Sequence, residues 1–73
     1  MGTLSEAGRR QLLLVTMNEA RERIDVTTPA ARDLLAHACL ELDEPGADAM
    51  RWVRVTDRGH ATIATHYGPG RAG

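Results

Sequence analysis

Lysine and phenylalanine are missing from this 73-residue chain, cysteine, tryptophan and tyrosine occur once each, and no apolar run approaches the length of a membrane span. Each gap excludes something. A single thiol, Cys39, cannot close an intramolecular disulfide, so the cross-linked framework of small secreted domains is ruled out and a reducing, cytoplasmic compartment is expected. A helix that spans a bilayer needs ~20 predominantly apolar residues. The N-terminus also lacks a charged head leading into an apolar stretch and a small-residue cleavage site, so no membrane partner is expected. With no Phe, and with alanine supplying much of the 42% apolar content, the bulky core must come from Leu, Val, Ile, Met and Trp52. A chain of this length buries only ~60% of its unfolded surface. One small domain is expected, with a homodimer as a way to complete its core.

The missing lysine leaves arginine as the whole basic complement besides histidine, nine residues against ten acids, for a net charge of -1. That balance excludes a highly basic nucleic-acid coat but permits a local basic face, and the guanidinium suits bidentate contact with phosphate or guanine. Metal and enzyme chemistry find no foothold. The ligand types His37 and Cys39 stand two apart, a spacing that points them away from each other on a helix, and no Cys-x-x-Cys or His-x-x-x-His pair exists. There is no phosphate-cradling glycine motif and nothing sets Ser, His and Asp in a triad, so neither a cofactor nor an enzyme is expected.

Along the chain, Ser5 predicts a helix N-cap with Glu6 in the first turn, and Leu13, Met17, Ala20 and Ile24 share one helical face. The polar run "NEARER" permits either one helix to Ile24 or a break at Thr16 to Asn18, where Asn18 would cap a second, shorter helix. Asp25 to Thr27 reads as a turn. Thr28-Pro29 is a capping hydroxyl followed by proline at the first helical position, and it predicts a helix to about Leu42 with Ala31, Leu34, Leu35, Ala38 and Leu42 as its apolar stripe. Asp43-Glu44-Pro45-Gly46 ends that helix. Met50 to Thr56 alternates, with Val53 and Val55 on one face and Met50, Trp52 and Arg54 on the other, as in a half-buried strand. From Thr56 two readings stand: a helix capped by Thr56, or a tight turn and a strand over 62–67, which the β-branched residues there favour. "LSEAGRRQLL" and "VTDRGHATIA" share hydroxyl, two residues, glycine and a basic residue, a common capping solution rather than a repeat. Residues 1–67 are thus expected as one domain, and 68–73 as a flexible tail.

This order of elements resembles a winged helix-turn-helix domain of the MarR and PadR type of bacterial transcriptional regulators, mainly over residues 26–64. The matching stretches are "VTTPAARDLLAHACLEL" for the helix after the turn and "LDEPGADAMRWVRVTDRGH" for the wing. The resemblance implies a small winged-helix-like α+β domain of two or three helices followed by a β-hairpin. It also implies a DNA-binding regulator with double-stranded DNA as partner. The helix beginning at Pro29 would read the major groove through Thr27, Thr28, Ala30, Arg32 and Asp33, while Arg51, Arg54 and Arg58 would serve the wing. The wing loop carries Asp43, Glu44 and Asp48, which oppose contact with phosphate. The wing therefore leaves binding to the helix with Arg54 and Arg58, or it meets protein. The alternative from another class is a protein-interaction or dimerisation module without DNA binding. It would use the run Leu12, Leu13, Leu14 and Val15, which holds more apolar residues than one helix face needs.

Overall fold

A computed structural model describes residues 4–67, and the expected tail at 68–73 lies outside the described residues. Three hydroxyl caps start three helices. Ser5 Oγ accepts from the Gly8 N–H at 3.0 Å and opens α1 (Glu6–Met17). Thr28 Oγ1 accepts from the Ala31 N–H at 3.2 Å and opens α2 (Pro29–Ala36), with Pro29 where its missing N–H is harmless. Thr56 Oγ1 accepts from the Gly59 N–H at 3.0 Å and opens α3 (Asp57–Tyr67). The shared Ser/Thr-x-x-Gly spacing is thus a shared cap. Residues 62–67 are helical, not extended. The Thr62 and Thr65 hydroxyls turn back onto the carbonyls of Arg58 and Ala61 at 2.9 Å each, and Ile63 packs against the core, which outweighs their β-propensity.

The chain does break near Asn18, but Asn18 closes α1 instead of opening a second helix. Its N–H reaches the carbonyls of Leu14 and Val15, and Glu19 and Ala20 come next with φ of 63° and 62°. They lead into a strand, β1 (Arg21–Asp25). The helix expected to reach Leu42 stops at Ala36, and residues 40–42 form β2 (Leu40–Leu42). The cause is local: Cys39 N–H bonds the Leu34 carbonyl at 2.9 Å and Ala38 N–H the Leu35 carbonyl at 3.1 Å, with Ala38 left-handed at φ 59°. This is a Schellman closure with alanine where glycine is usual.

The alternating run expected at Met50 to Thr56 forms β3 (Met50–Val55). It is the middle strand of an antiparallel sheet of order β1-β3-β2, paired Arg21 with Arg54 and Asp25 with Met50 on one side, and Leu40 with Val55 and Leu42 with Val53 on the other. The domain is therefore small α+β, with three helices and a three-stranded antiparallel sheet among the described residues. Its core is Leu4, Leu12, Val15, Ile24, Ala31, Leu34, Cys39, Leu40, Val53 and Val55. Truncating a wholly buried member such as Leu12 or Leu34 to alanine would cost about 2–5 kcal/mol.

Two expected stripes shift. In α1 the buried face is Gly8, Leu12 and Val15, while Met17 is 73% exposed. In α2 it is Ala31 and Leu34, with Leu35 half-buried and both Ala38 and Leu42 exposed, because the last two no longer belong to the helix. The helices cover the face of the sheet that carries Ile24, Leu40, Val53 and Val55. No described helix packs on the opposite face.

Candidate functional site

Strand alternation places Arg21, Arg23 and Asp25 of β1, Met50, Trp52 and Arg54 of β3, and Glu41 of β2 on the uncovered face. Trp52 is 37% and Met50 40% exposed, so the lone tryptophan is not enclosed in the core. The Arg21 guanidinium lies 4.2 Å from the centre of the Trp52 ring, a cation–π contact, and pairs with Asp43 and Glu44 of the loop between β2 and β3. Arg54 pairs with its cross-strand neighbour Glu41. Arg51 donates to the Glu44 carbonyl at 2.9 Å and draws the same loop over the end of β3. The loop acids thus hold arginines of their own sheet. Two charges on this face have no ion-pair partner among the described residues: Arg23, and Asp25, whose Oδ1 accepts from the Thr27 hydroxyl at 2.5 Å and the Thr27 N–H at 2.8 Å. Those bonds, the hydroxyl's first, hold the Asp25 carboxyl below its usual range.

The residues expected to read DNA divide between two ends of the sheet. Since Asp25 pairs with Met50 and Arg21 with Arg54, the start of α2 lies at the Arg51 end of β3, away from Arg54. At that end Thr27 is bound to Asp25, Thr28 is used as cap and also donates to the Asp25 carbonyl at 3.2 Å, and Ala30 is half-buried. Asp33 Oδ2 accepts the Ser5 N–H at 2.9 Å and Oδ1 lies 3.2 Å from His37 Nδ1. The Ser5 N–H, then the Ser5 hydroxyl and the charge of His37, lower the Asp33 pKa. The opening of α2 is therefore flanked by two ionised carboxylates, with Arg32 the exposed cation beside them. At the far end Arg54 and Arg58 share a shallow depression with Glu41 and Asp57. The element before α2 is a strand, so no helix pair surrounds the turn at residues 26–28.

Of the run expected to meet a partner, Leu12 and Val15 are 0% exposed and belong to the core, which removes them from any binding surface. Leu13 is half-buried and Leu14 is 54% exposed. Arg21, Arg23 and Asp25 were not expected at a site, because Ala, Arg and Glu are good helix formers and the segment reads as helical. The signal that could have found them is the alternation in "RERID", whose only apolar residue faces inward. Three surface depressions among the described residues are open and carry several charged side chains each, unlike the enclosed apolar clefts that hold small ligands. No described helix is long and apolar enough to cross a membrane.

The site is thus one open, charge-matched face of a small antiparallel α+β sheet. No protein-family model, curated protein or solved structure matches the chain.

Proposed function

We propose that this chain is a protein-association module that meets its partner through the uncovered side of its sheet and does not act as an enzyme. The observation that carries this reading is the matching of charges there. On that face Arg21 is held by Asp43 and Glu44 and Arg54 by Glu41, around the exposed Trp52 and Met50, which leaves Arg23 as the one arginine there without an acid among the described residues. A polyanion would have to displace these acids and would gain little from counterion release. A protein surface meets an aromatic residue, a methionine and arginines with far less opposition. The buried free thiol of Cys39 suits a reducing, cytoplasmic setting.

The winged-helix resemblance supports a second reading, a bacterial transcriptional regulator that inserts α2 in the major groove. Arg32, exposed at the start of α2 and without an ion-pair partner among the described residues, favours it. One pair of measurements separates the two. Sedimentation velocity up to millimolar chain and fluorescence anisotropy with a mixed-sequence DNA duplex at low salt should give association without duplex binding. A monomer whose binding to the duplex weakens steeply with salt, and is lost in Arg32→Ala, would reverse the order of the two readings.

A further inference from the structure

The strand β1 is an edge of the sheet, and among the described residues the outer N–H and carbonyl of Arg23 and the N–H of Asp25 are unpaired, while the Asp25 carbonyl accepts the Thr28 hydroxyl and keeps a second lone pair. Val55 N–H reaches the Ala20 carbonyl and Val26 N–H the Ala49 carbonyl, each at 2.9 Å. In an antiparallel ladder that alternation turns the backbone groups of Glu22 and Ile24 toward β3 and those of Arg21, Arg23 and Asp25 toward the free edge. Such an edge is a template for another strand. The two charges on the uncovered face that lack ion-pair partners among the described residues, Arg23 and Asp25, are on this same strand, two residues apart and of opposite sign.

We propose that two copies of this chain join edge to edge through β1, antiparallel about a two-fold axis at Ile24, so that Arg23 of each copy faces Asp25 of the other. The inference rests on the protein-association reading and adds to it a second copy of the chain at the edge of the uncovered face. Sequence and register single out this arrangement. A one-residue slip would place the core face of one copy beside the open face of the other, so only alternate registers keep the sheet continuous. Centring the axis on Glu22 sets Glu22 against Glu22. Centring it on Arg23 sets Arg23 against Arg23, and on Asp25, Asp25 against Asp25. Centred on Ile24, the strands place Ile24 against Ile24 on the helix side and form two Arg23–Asp25 pairs on the other, with no like charges opposed. The same register opposes outward-facing backbone groups: Arg23 and Asp25 of opposite copies exchange N–H and carbonyl, four hydrogen bonds in all. Asp25 Oδ2 is free for the guanidinium because Thr27 occupies Oδ1. The product is a six-stranded sheet that extends the uncovered face across both copies.

Charge exchange tests the register. Arg23→Glu opposes two carboxylates twice per dimer, and Asp25→Arg opposes two guanidinium groups twice, so each variant alone should weaken the dimer on the order of tenfold or more in sedimentation equilibrium. Mixed in equal amounts, the two restore both attractive pairs, and a heterodimer should form. Arg23→Pro removes an outward N–H without touching the ladder to β3, as an edge strand tolerates, and should also give monomer, with far-UV circular dichroism verifying the fold. Dimers as tight as the parent in Arg23→Glu and Arg23→Pro would overturn this junction while leaving association itself standing. So would a mixture no more associated than its parts. A parent chain that stays monomeric to millimolar concentration overturns the junction, and if it also binds the duplex the association reading falls with it.

Discussion

Replacing Gly59 by alanine adds one methyl group at the place where the last helix is seated, and the consequence can be worked from its surroundings. A Cβ at Gly59 would lie 2.3 Å from the Cys39 carbonyl oxygen and 2.7 Å from Val55 Cγ1. Neither neighbour yields cheaply. The Cys39 carbonyl accepts the Thr56 N–H at 3.1 Å, its own N–H closes α2, and Val55 is part of the core. Relief must come from α3 moving outward, which stretches the Thr56 bonds to Cys39 and, through the hydroxyl, to the Ala38 carbonyl at 2.5 Å, and uncovers Ile63. Overpacking costs about 1–3 kcal/mol, and each hydrogen bond weakened adds roughly 1 kcal/mol. Against this, alanine gains ~1 kcal/mol over glycine in a helix. A net loss of about 2–4 kcal/mol is a large share of the ~4–11 kcal/mol expected for a domain of this size. At roughly 4–8 °C per kcal/mol it lowers Tm by about 10 °C or more. Thermal unfolding followed by far-UV circular dichroism and Trp52 fluorescence measures it. Gly46→Ala, where a Cβ would meet only the Arg51 side chain at 3.4 Å or beyond, serves as the near-neutral control. A Gly59→Ala protein melting within a degree or two of the parent would refute the reasoning that α3 is held by close approach to the Cys39 backbone.

The same geometry sets three further outcomes. Ala38→Gly removes the left-handed penalty at the end of α2 and should stabilise by about 0.5–1 kcal/mol in urea denaturation, net of the entropy glycine loses on folding; destabilisation would mean the residue is not left-handed. Glu22 lies on the helix side of β1 with its Oε1 buried and without a hydrogen-bond partner, so Glu22→Val should raise Tm by several degrees, and a lowered Tm would show that the carboxylate has a role in holding the strand. The Asp33 pKa is lowered in the folded chain, so the stability it contributes is complete above the unfolded value of ~3.9 and is lost as pH falls through the folded pKa. Asp33→Asn should therefore be less stable than the parent at neutral pH, converge with it in acid, and show a flatter stability profile below about pH 4. Parallel profiles would sink that assignment.

Local chemistry written in adjacent residues was legible. The Ser5 and Thr28 caps, the proline at the start of α2, and the alternation of Met50 to Val55 depend on bonds or periods spanning a few positions, and each is found as expected. Misreadings cluster where tertiary contacts override propensity. Segment 21–25 opens with three good helix formers, Arg21, Glu22 and Arg23, yet β3 supplies a ladder partner for every residue of the segment, and a strand results. Residues 37–42 carry no glycine to announce the end of α2, because Ala38 adopts the left-handed turn at a cost that the core contacts of Cys39 and Leu40 offset. For the candidate site, Trp52 and Arg54 could be assigned to one strand face, but which acids hold the arginines could not, since Arg21 meets Asp43 and Glu44 from 22 and 23 positions away.

The amino-acid order by itself determined a small α+β domain without a disulfide, where two of its helices begin, and which residues of its central strand face inward, because caps and side-chain alternation are set by neighbours in the chain. Only the folded structure decided that β1 is an edge strand, that α3 is a helix, and that Arg23 and Asp25 have no ion-pair partner among the described residues. Those outcomes depend on which distant segments satisfy one another's hydrogen bonds and charges, and that selection is made when the layers meet.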